Sequence, residues 1–232
     1  MDDARGMDAR PHRRIRSFVK RPGRMTAAQQ RALDTLLPRY GVPFAPRPLE
    51  LDRLFGRAAA HVLDVGFGDG EALLSTAATH PDIDYLGVEV HEPGVGHLLN
   101  LLERARLENV RVIVRDAVDV IDAMLGDASF AAVNLFFPDP WPKKRHHKRR
   151  LVQPAFVEQC ARILQPGGLL HIATDWAPYA EHARSVLASS RAFAPDEPMA
   201  FGRLAYRPPT KFERRGERLG HEAVDLYYRR SP

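Results

Sequence analysis

Apolar runs and amphipathic segments alternate along most of the chain. The short apolar runs that predict strands lie at residues 61–65, 84–89, 110–114, 131–137 and 169–173. The segments with apolar residues at helical spacing lie at 71–79, 93–107, 117–125, 151–164 and 177–188. Nearly continuous apolar strands joined by amphipathic helices are typical of a mostly parallel sheet that is covered on both faces. The pattern therefore predicts an α/β fold.

The two ends of the chain follow other patterns. Residues 221–228 alternate apolar and polar side chains, which predicts a final antiparallel strand. Thr26 and Gln29 have the spacing of a capping box, which predicts a helix that ends at Pro38. Residues 1–25 contain several cations and few large apolar side chains, so we expect a basic, partly mobile arm. The remainder, 26–232, is expected to form a single domain.

Length and composition exclude several classes of protein. A chain of 232 residues with 44% hydrophobic residues is long enough to bury a core and needs no disulfide framework. Its single cysteine, Cys160, has apolar neighbours, so a buried structural thiol is expected rather than a nucleophile. The chain shows neither an apolar run of membrane-spanning length nor a signal peptide. We therefore expect a cytoplasmic protein that does not enter a membrane.

Positive charge is concentrated in three segments. The formal net charge is +5, yet residues 1–24, 143–150 and 203–230 together carry 22 basic and 7 acidic residues. The rest of the chain is therefore acidic. Such asymmetry points to a polyanionic partner such as a nucleic acid, although a solvated basic surface would have the same composition.

Three glycines follow the first predicted strand. Gly66, Gly68 and Gly70 lie where a strand-to-helix turn is expected, and glycine there permits tight curvature and a close approach of a ligand. A dinucleotide-binding fingerprint would have a further glycine at position 71, which is Glu71 here. The pattern therefore gives less reason to expect a cradle for the pyrophosphate of a dinucleotide.

Acidic residues occur at three strand ends. Asp64, Glu89 and Asp116 lie at or after the ends of the first three strands, where open α/β sheets bind their ligands. Each acid alone could be a helix cap or a loop anion. Together they disfavour a phosphate-rich ligand and suit a nucleoside that carries positive charge, such as S-adenosylmethionine. Glu89 follows Gly66 by 23 residues, which is the sequence spacing expected of a carboxylate that accepts hydrogen bonds from two ribose hydroxyls.

A second candidate site follows the fourth predicted strand. Asp139 lies between two prolines that restrict the backbone, with aromatic residues on either side and six cations immediately downstream. Alternatively, Asp139 pairs with Lys143 or Lys144 and Trp141 covers the core. His146 and His147 are adjacent and lack a spaced set of partners, so no metal is expected.

These residues carry a resemblance to a known family. The motifs are Phe137-Pro-Asp-Pro-Trp-Pro-Lys-Lys-Arg-His-His-Lys-Arg-Arg150, Thr210-Lys-Phe-Glu213 with Arg215-Gly216, Ala173-Thr-Asp175-Trp176, Gly87-Val-Glu89-Val-His91 and Arg115-Asp116-Ala117. From about Arg13 to its end, the chain resembles the bacterial tRNA (guanine-N7)-methyltransferases. The resemblance implies a class I S-adenosylmethionine-dependent methyltransferase with a Rossmann-like, seven-stranded sheet. It also implies a tRNA substrate, methylated at guanine 46 of the variable region.

The resemblance implies roles for particular residues. Those implied to contact S-adenosylmethionine are Asp64, Gly66, Gly68, Gly70, Glu89, Asp116 and Asp139. Asp139 would also be the catalytic carboxylate. Those implied to contact the substrate are Lys143, Asp175, Thr210, Lys211, Phe212 and Glu213. In one departure, many members carry glutamate where this chain has the shorter Asp64. No obligate protein partner is expected, and the chain would act as a monomer or homodimer.

Three other functions fit parts of the pattern. A methyltransferase acting on an exocyclic amine has a comparable proline-rich loop, usually without a residue such as Asp139 between the prolines. A nicotinamide-dependent oxidoreductase would share the sheet but have the full glycine fingerprint. A noncatalytic RNA-binding protein would bind tRNA without consuming S-adenosylmethionine.

Overall fold

The computed structural model describes residues 16–18, 24–210, 213, 216, 220 and 222–232. The strands of the sheet in this part of the chain are β1 (Ala60–Val65), β2 (Ile83–Glu89), β3 (Val110–Val114), β4 (Phe130–Phe136), β5 (Leu164–Thr174), β6 (Phe193–Pro195) and β7 (Val224–Arg230). Their order is β3-β2-β1-β4-β5-β7-β6. β1 to β5 are parallel, and β7 runs antiparallel to both β5 and β6. The predicted fold class is confirmed.

Helices flank the sheet. The α-helices of the described residues are α1 (Ala27–Thr35), α2 (Leu37–Tyr40), α3 (Leu51–Phe55), α4 (Glu71–Thr79), α5 (Glu92–Ala105), α6 (Ala117–Met124), α7 (Pro154–Ile163) and α8 (Ala177–Ala188). Two 3₁₀ helices span Lys144–Arg149 and Pro198–Ala205. The predicted capping box of α1 is present, with Thr26 and Gln29 each bonded to the other's backbone N–H. Most predicted bounds agree to within two residues.

Other bounds differ from the prediction: α1 ends at Thr35 and not at Pro38, and β7 begins at Val224, while the predicted strand start at residue 221 lies outside the described residues. α7 begins at Pro154, later than predicted, because proline is well suited to the first turn of a helix. β5 begins at Leu164 and not at 169, so it is 11 residues long. β4 ends at Phe136 because Phe137 takes a left-handed conformation, with φ of 51°. The short elements α2, α3 and β6 were not predicted.

The core lies on both faces of the sheet. One apolar cluster joins the sheet to α6, α7 and α8, and the other joins it to α1, α4 and α5. Cys160 is fully buried in the first cluster, as predicted, and burial raises the pKa of its thiol above the ordinary value. Among the described residues, no helix is both long and apolar enough to cross a membrane.

The turn between β1 and α4 positions the site. It lies at the point where strand order reverses, since β1 pairs with β2 on one side and β4 on the other. Gly66, Gly68 and Gly70 all have positive φ, as the glycine pattern predicted. At Gly70, φ is 79°, and an added Cβ would lie 2.6 Å from the Cβ of Leu98 on α5. Only glycine fits this position without displacing a helix.

We expect Gly70→Ala to lower the free energy of unfolding by about 2 kcal/mol, because it combines left-handed strain with a steric clash. Gly126→Ala is the matched control, since a Cβ at Gly126 meets nothing within 4 Å and φ there is not left-handed. Urea unfolding, monitored by circular dichroism, measures the free energy of unfolding of both variants. Equal stability of the two variants would contradict the packing constraint.

Candidate active site

Two adjoining cavities open at the carboxyl ends of the central strands. The cavity called A here has a volume of about 250 Å³, and its lining includes Glu89, Asp116 and Asp139. The cavity called B has a volume of about 340 Å³, and its lining includes Asp64 and Thr210. The walls shared by the two cavities are Gly66, Phe136 and Phe137. The four acids that were predicted to contact one ligand therefore line two adjoining cavities, with Asp64 in B and the other three in A.

Asp64 is a buried carboxylate within β1. It pairs in register with Gly87 on β2 and Asn134 on β4, and 6% of its surface is exposed. No residue in the described part of the chain donates a hydrogen bond to its carboxylate. Burial, together with the charge of Glu89, raises the pKa of Asp64 to about 7. A cationic ligand group in cavity B would supply the missing partner.

Glu89, at the end of β2, is satisfied by the backbone. Its Oε2 accepts a hydrogen bond from the N–H of Gly68 at 2.9 Å. Its Oε1 accepts hydrogen bonds from the N–H groups of Val90 at 2.6 Å and His91 at 2.9 Å. About three of its four acceptor positions are thus used, so it can take one ribose hydroxyl without rearrangement. A second ribose hydroxyl would have to share a position with a backbone donor.

Asp116 lies two residues beyond the end of β3 rather than at it. It is the N-cap of α6, and its Oδ1 accepts a hydrogen bond from the N–H of Val118 at 3.1 Å. The helix-cap interpretation is therefore correct for this residue. The same side chain also lines cavity A, so capping fixes a carboxylate at the cavity wall.

The loop that carries Asp139 is held in an unusual conformation. Phe137 and Trp141 on either side have φ of 51° and 45°, which non-glycine residues rarely adopt. Two hydrogen bonds fix the loop: the N–H of Phe137 donates to the carbonyl of Ala173 at 2.7 Å, and Arg150 Nε donates to the carbonyl of Pro140 at 3.0 Å. Asp139 is thereby presented to cavity A on a rigid support.

The basic run after this loop divides into two parts. Lys143, Lys144 and Arg145 are exposed. Arg149 stacks on the Trp141 ring at 3.9 Å, and Arg150 is only 3% exposed. Burial lowers the pKa of Arg150, whose guanidinium lies over Tyr179. The expectation that the whole run faces a polyanion is therefore wrong for Arg150, which supports the loop instead.

A short part of the N-terminal arm contributes to cavity A, which the sequence did not predict. Ser17 and Phe18 are among the lining residues. Trp141 Nε1 donates to the carbonyl of Ser17 at 2.9 Å, and Arg149 Nη2 donates to that of Phe18 at 3.2 Å. The available signal was Phe18 itself, a large apolar residue in a basic segment.

The predicted substrate residues are only partly brought together. Thr210 lines cavity B, and its Oγ1 accepts a hydrogen bond from the N–H of Glu213 at 3.1 Å. Glu213 Oε2 in turn accepts one from the N–H of Thr210 at 3.2 Å, which completes a capping box. A Cβ added to Gly216 would lie 2.9 Å from Asp175 Oδ2. Lys211 and Phe212 lie outside the described residues.

No group of three or more His, Cys, Asp or Glu within the described ranges could hold a metal ion. His146 instead packs edge-on against the Trp141 ring at 5.7 Å.

The sheet order, the glycine turn after β1 and the acids at the strand ends define a class I methyltransferase of the Rossmann-like type. A family model described as "Putative methyltransferase" matches residues 58–226. The tRNA (guanine-N(7)-)-methyltransferase of Alkalilimnicola ehrlichii is 57% identical over 94% of this chain and 93% of its own. That of Halorhodospira halophila is 54% identical over 95% and 96%. This chain belongs to the tRNA (guanine-N7)-methyltransferase family.

Solved structures agree on the fold. The 16S rRNA methyltransferase KamB is 18% identical, has a TM-score of 0.55 and matches 79% of this chain and 93% of its own. An rRNA methylase from Streptococcus thermophilus is 15% identical, has a TM-score of 0.51 and matches 82% and 99%. At these identities the likeness supports the class I fold.

Proposed function

We propose that this chain transfers a methyl group from S-adenosylmethionine to N7 of a guanine in tRNA, namely guanine 46 of the variable region. The relatives that are 57% and 54% identical carry the name of that activity. The observation that carries the proposal is the pair of adjoining cavities, in which Asp64 has no hydrogen-bond donor among the described residues and Asp139 lies on a rigid loop. The reaction is expected in the cytoplasm.

The site suits a cationic nucleoside donor. S-adenosylmethionine has a sulfonium and an ammonium group, and both favour a surrounding of carboxylates. Asp64 would face the ammonium, since its carboxylate is buried and no residue in the described part of the chain donates a hydrogen bond to it. Glu89 and Asp116 would hold the nucleoside in cavity A, whose apolar walls include Val88, Leu135 and Phe18. The donor supplies an electrophilic methyl group, and the protein supplies its orientation.

The chemistry needs no strong base. Guanine N7 has an in-plane lone pair at neutral pH, so it attacks the methyl carbon as the carbon–sulfur bond breaks. Sulfur keeps the bonding pair and leaves as the thioether S-adenosylhomocysteine. The purine becomes a cation, and no proton leaves N7. Alignment of the two reactants therefore dominates the rate.

Asp139 would provide that alignment. A carboxylate can accept hydrogen bonds from N1 and the exocyclic amine of guanine at once, which fixes the base plane. Its charge would also offset the positive charge that grows on the purine ring. The left-handed residues on either side keep this carboxylate at the cavity wall.

We expect the purified chain to transfer labelled methyl from S-adenosylmethionine into tRNA, and Asp139→Asn to lower kcat by about 100-fold or more with near-normal binding of both ligands. Nucleoside analysis should give 7-methylguanosine. A transcript with adenine in place of guanine 46 is the control for position.

Each result has a distinct meaning. Methylation of an exocyclic amine, or tRNA binding without transfer, would replace the proposed reaction. Full methylation of the transcript that lacks guanine 46 would show that the target is another guanine, and would leave the proposed reaction at N7 standing. A native rate for Asp139→Asn would remove its catalytic role.

Donor affinity should depend on pH through Asp64. Its pKa of about 7 in the free protein means that it is mainly protonated at pH 6. Because a cationic donor favours the ionised form, binding must release that proton at low pH. We expect the dissociation constant of S-adenosylmethionine to rise about tenfold from pH 8 to pH 6, by calorimetry.

Asp64→Asn is the control for this pH dependence. The substitution keeps the size of the side chain and does not alter the titration of S-adenosylmethionine itself. The variant should therefore bind the donor more weakly at pH 8, and its dissociation constant should change little between pH 8 and pH 6. If the variant kept the same pH profile as the native protein, another group would be responsible.

Exposed cations at the site should govern the salt dependence of tRNA binding. Each phosphate contact in a single-stranded region adds about 0.7 to the slope of log affinity against log salt. Replacing Lys143, Lys144 and Arg145 by alanine should therefore lower the slope by up to about 2. The control replaces Arg53, Arg104 and Arg191, which are also exposed. These three precede the starts of β1, β3 and β6, whereas the cavities open at the carboxyl ends of the central strands. Equal slopes for both triple variants would show that the loop cations do not contact tRNA.

A further inference from the structure

One arginine with a largely buried side chain contacts residues that line cavity B. Arg207 directly precedes Pro208, Pro209 and Thr210, which line that cavity, and its side chain is 8% exposed. Its Nε donates to Asp225 Oδ1 at 2.8 Å and its Nη2 to Asp225 Oδ2 at 2.8 Å. Its Nη1 donates to Glu213 Oε2 at 2.5 Å and its Nη2 to Glu213 Oε1 at 2.9 Å. The guanidinium thus binds both oxygens of two carboxylates.

Asp225 anchors this arginine to the sheet. It lies on β7 in register with Ala173 of β5, and its Oδ1 also lies 2.7 Å from His171 Nε2. His171 is fully buried and stacks on Tyr227 at 4.4 Å. Burial lowers the pKa of His171, so the neutral ring donates its Nε2–H to Asp225. Burial opposes ionisation of Asp225, but these hydrogen bonds outweigh it and lower its pKa.

The other contacts of Arg207 reach two parts of the wall of cavity B. Through Glu213 it supports the capping box that fixes Thr210. Its guanidinium lies over the ring of Phe137 at 5.5 Å and that of Phe136 at 5.9 Å, and both rings line the same cavity. Phe137 begins the loop that presents Asp139. A single cation therefore links the aromatic residues to the segment at 208–210.

We propose that Arg207 is a positioning residue that fixes Phe137, which lines both cavities, relative to the segment at 208–210, which lines cavity B. The inference rests on the proposed function, since the loop that begins at Phe137 carries the Asp139 that would align the target guanine. A buried ion pair is weak support for stability, because desolvation offsets its Coulombic attraction. Fixing the geometry of a reactive site, where about 1 Å of misplacement costs as much as 100-fold in rate, gives the network a role that stability alone does not.

The structure offers a matched control for the loss of an arginine. Arg57 binds Asp84, which is 1% exposed, with Nε at 3.1 and 3.2 Å from its two oxygens and Nη2 at 2.6 Å. Asp84 lies near the start of β2, at the opposite edge of the sheet from the cavities. Arg57→Met leaves the buried Asp84 without its cation, and Arg207→Met leaves the partly buried Asp225 and Glu213 without theirs, so both are expected to lower stability.

We expect only Arg207→Met to impair the reaction. Its kcat/KM for tRNA should fall about 10- to 100-fold, while its dissociation constant for S-adenosylmethionine stays within about twofold of the native value. Arg57→Met should keep both quantities. Arg207→Lys is a second variant in case Arg207→Met does not fold; it keeps the charge but cannot bind two carboxylates bidentately, so it should lose rate as well.

A double variant tests the path through Glu213. If Arg207 acts on Thr210 through Glu213, then Arg207→Lys with Glu213→Gln should be no slower than the slower single variant. The proposal would be overturned if both Arg207 variants kept the native kcat/KM, or if they lost affinity for S-adenosylmethionine by the same factor as kcat/KM. It would also be overturned if the effects of the two substitutions were fully additive in the double variant.

A readout without activity separates this inference from the proposed function. Amide hydrogen exchange at Phe136, Phe137 and Thr210 should quicken in an Arg207 variant and not in Arg57→Met. A native protein that did not methylate tRNA would end the proposed function, and exchange would then decide whether Arg207 holds these two parts of the wall. Unchanged exchange would overturn the positioning role in either case.

Discussion

Two carboxylates buried at neighbouring strand ends repel each other, and the site is arranged around that repulsion. Glu89 is stabilised by three backbone N–H groups, one of them from Gly68 of the glycine turn. Asp64 has no such donor among the described residues, and its pKa rises to about 7 as a result of burial and of Glu89. The glycine turn therefore does more than give a ligand room. It supplies an amide that stabilises one of the two acids.

The strands, the glycine turn and the Asp139 loop could be predicted because their signals are local. Apolar runs mark the strands, and two prolines restrict the loop. The partners of Glu89 and Arg207 could not be predicted, because they depend on backbone groups and side chains that only the fold brings near. The capping box at Thr210 and Glu213 is an exception. The spacing of Thr210 and Glu213 is a recognised helix-start signal, so the capping box could have been predicted from the sequence in addition to the substrate role that the resemblance implied.

The basic run shows why charge counts overestimate a binding surface. Six cations lie between 143 and 150, and the sequence alone treats them as equivalent. Arg150 is buried against Tyr179 and bonded to the carbonyl of Pro140, so it supports the loop that the exposed cations follow. Arg149 does the same through Trp141 and the carbonyl of Phe18. The division follows from solvation: carbonyl oxygens and an aromatic face replace part of the water that Arg150 loses on burial, although burial still lowers its pKa.

The antiparallel direction of β7 places Asp225 near the site. In register, Val224 pairs with Thr174 and Asp225 with Ala173, so β7 begins at the carboxyl end of β5. Glu222 and Ala223, which directly precede β7, must therefore lie at that edge of the sheet. A parallel strand in the same position would begin at the opposite edge. The reversal also puts Asp225 beside His171, where it binds Arg207.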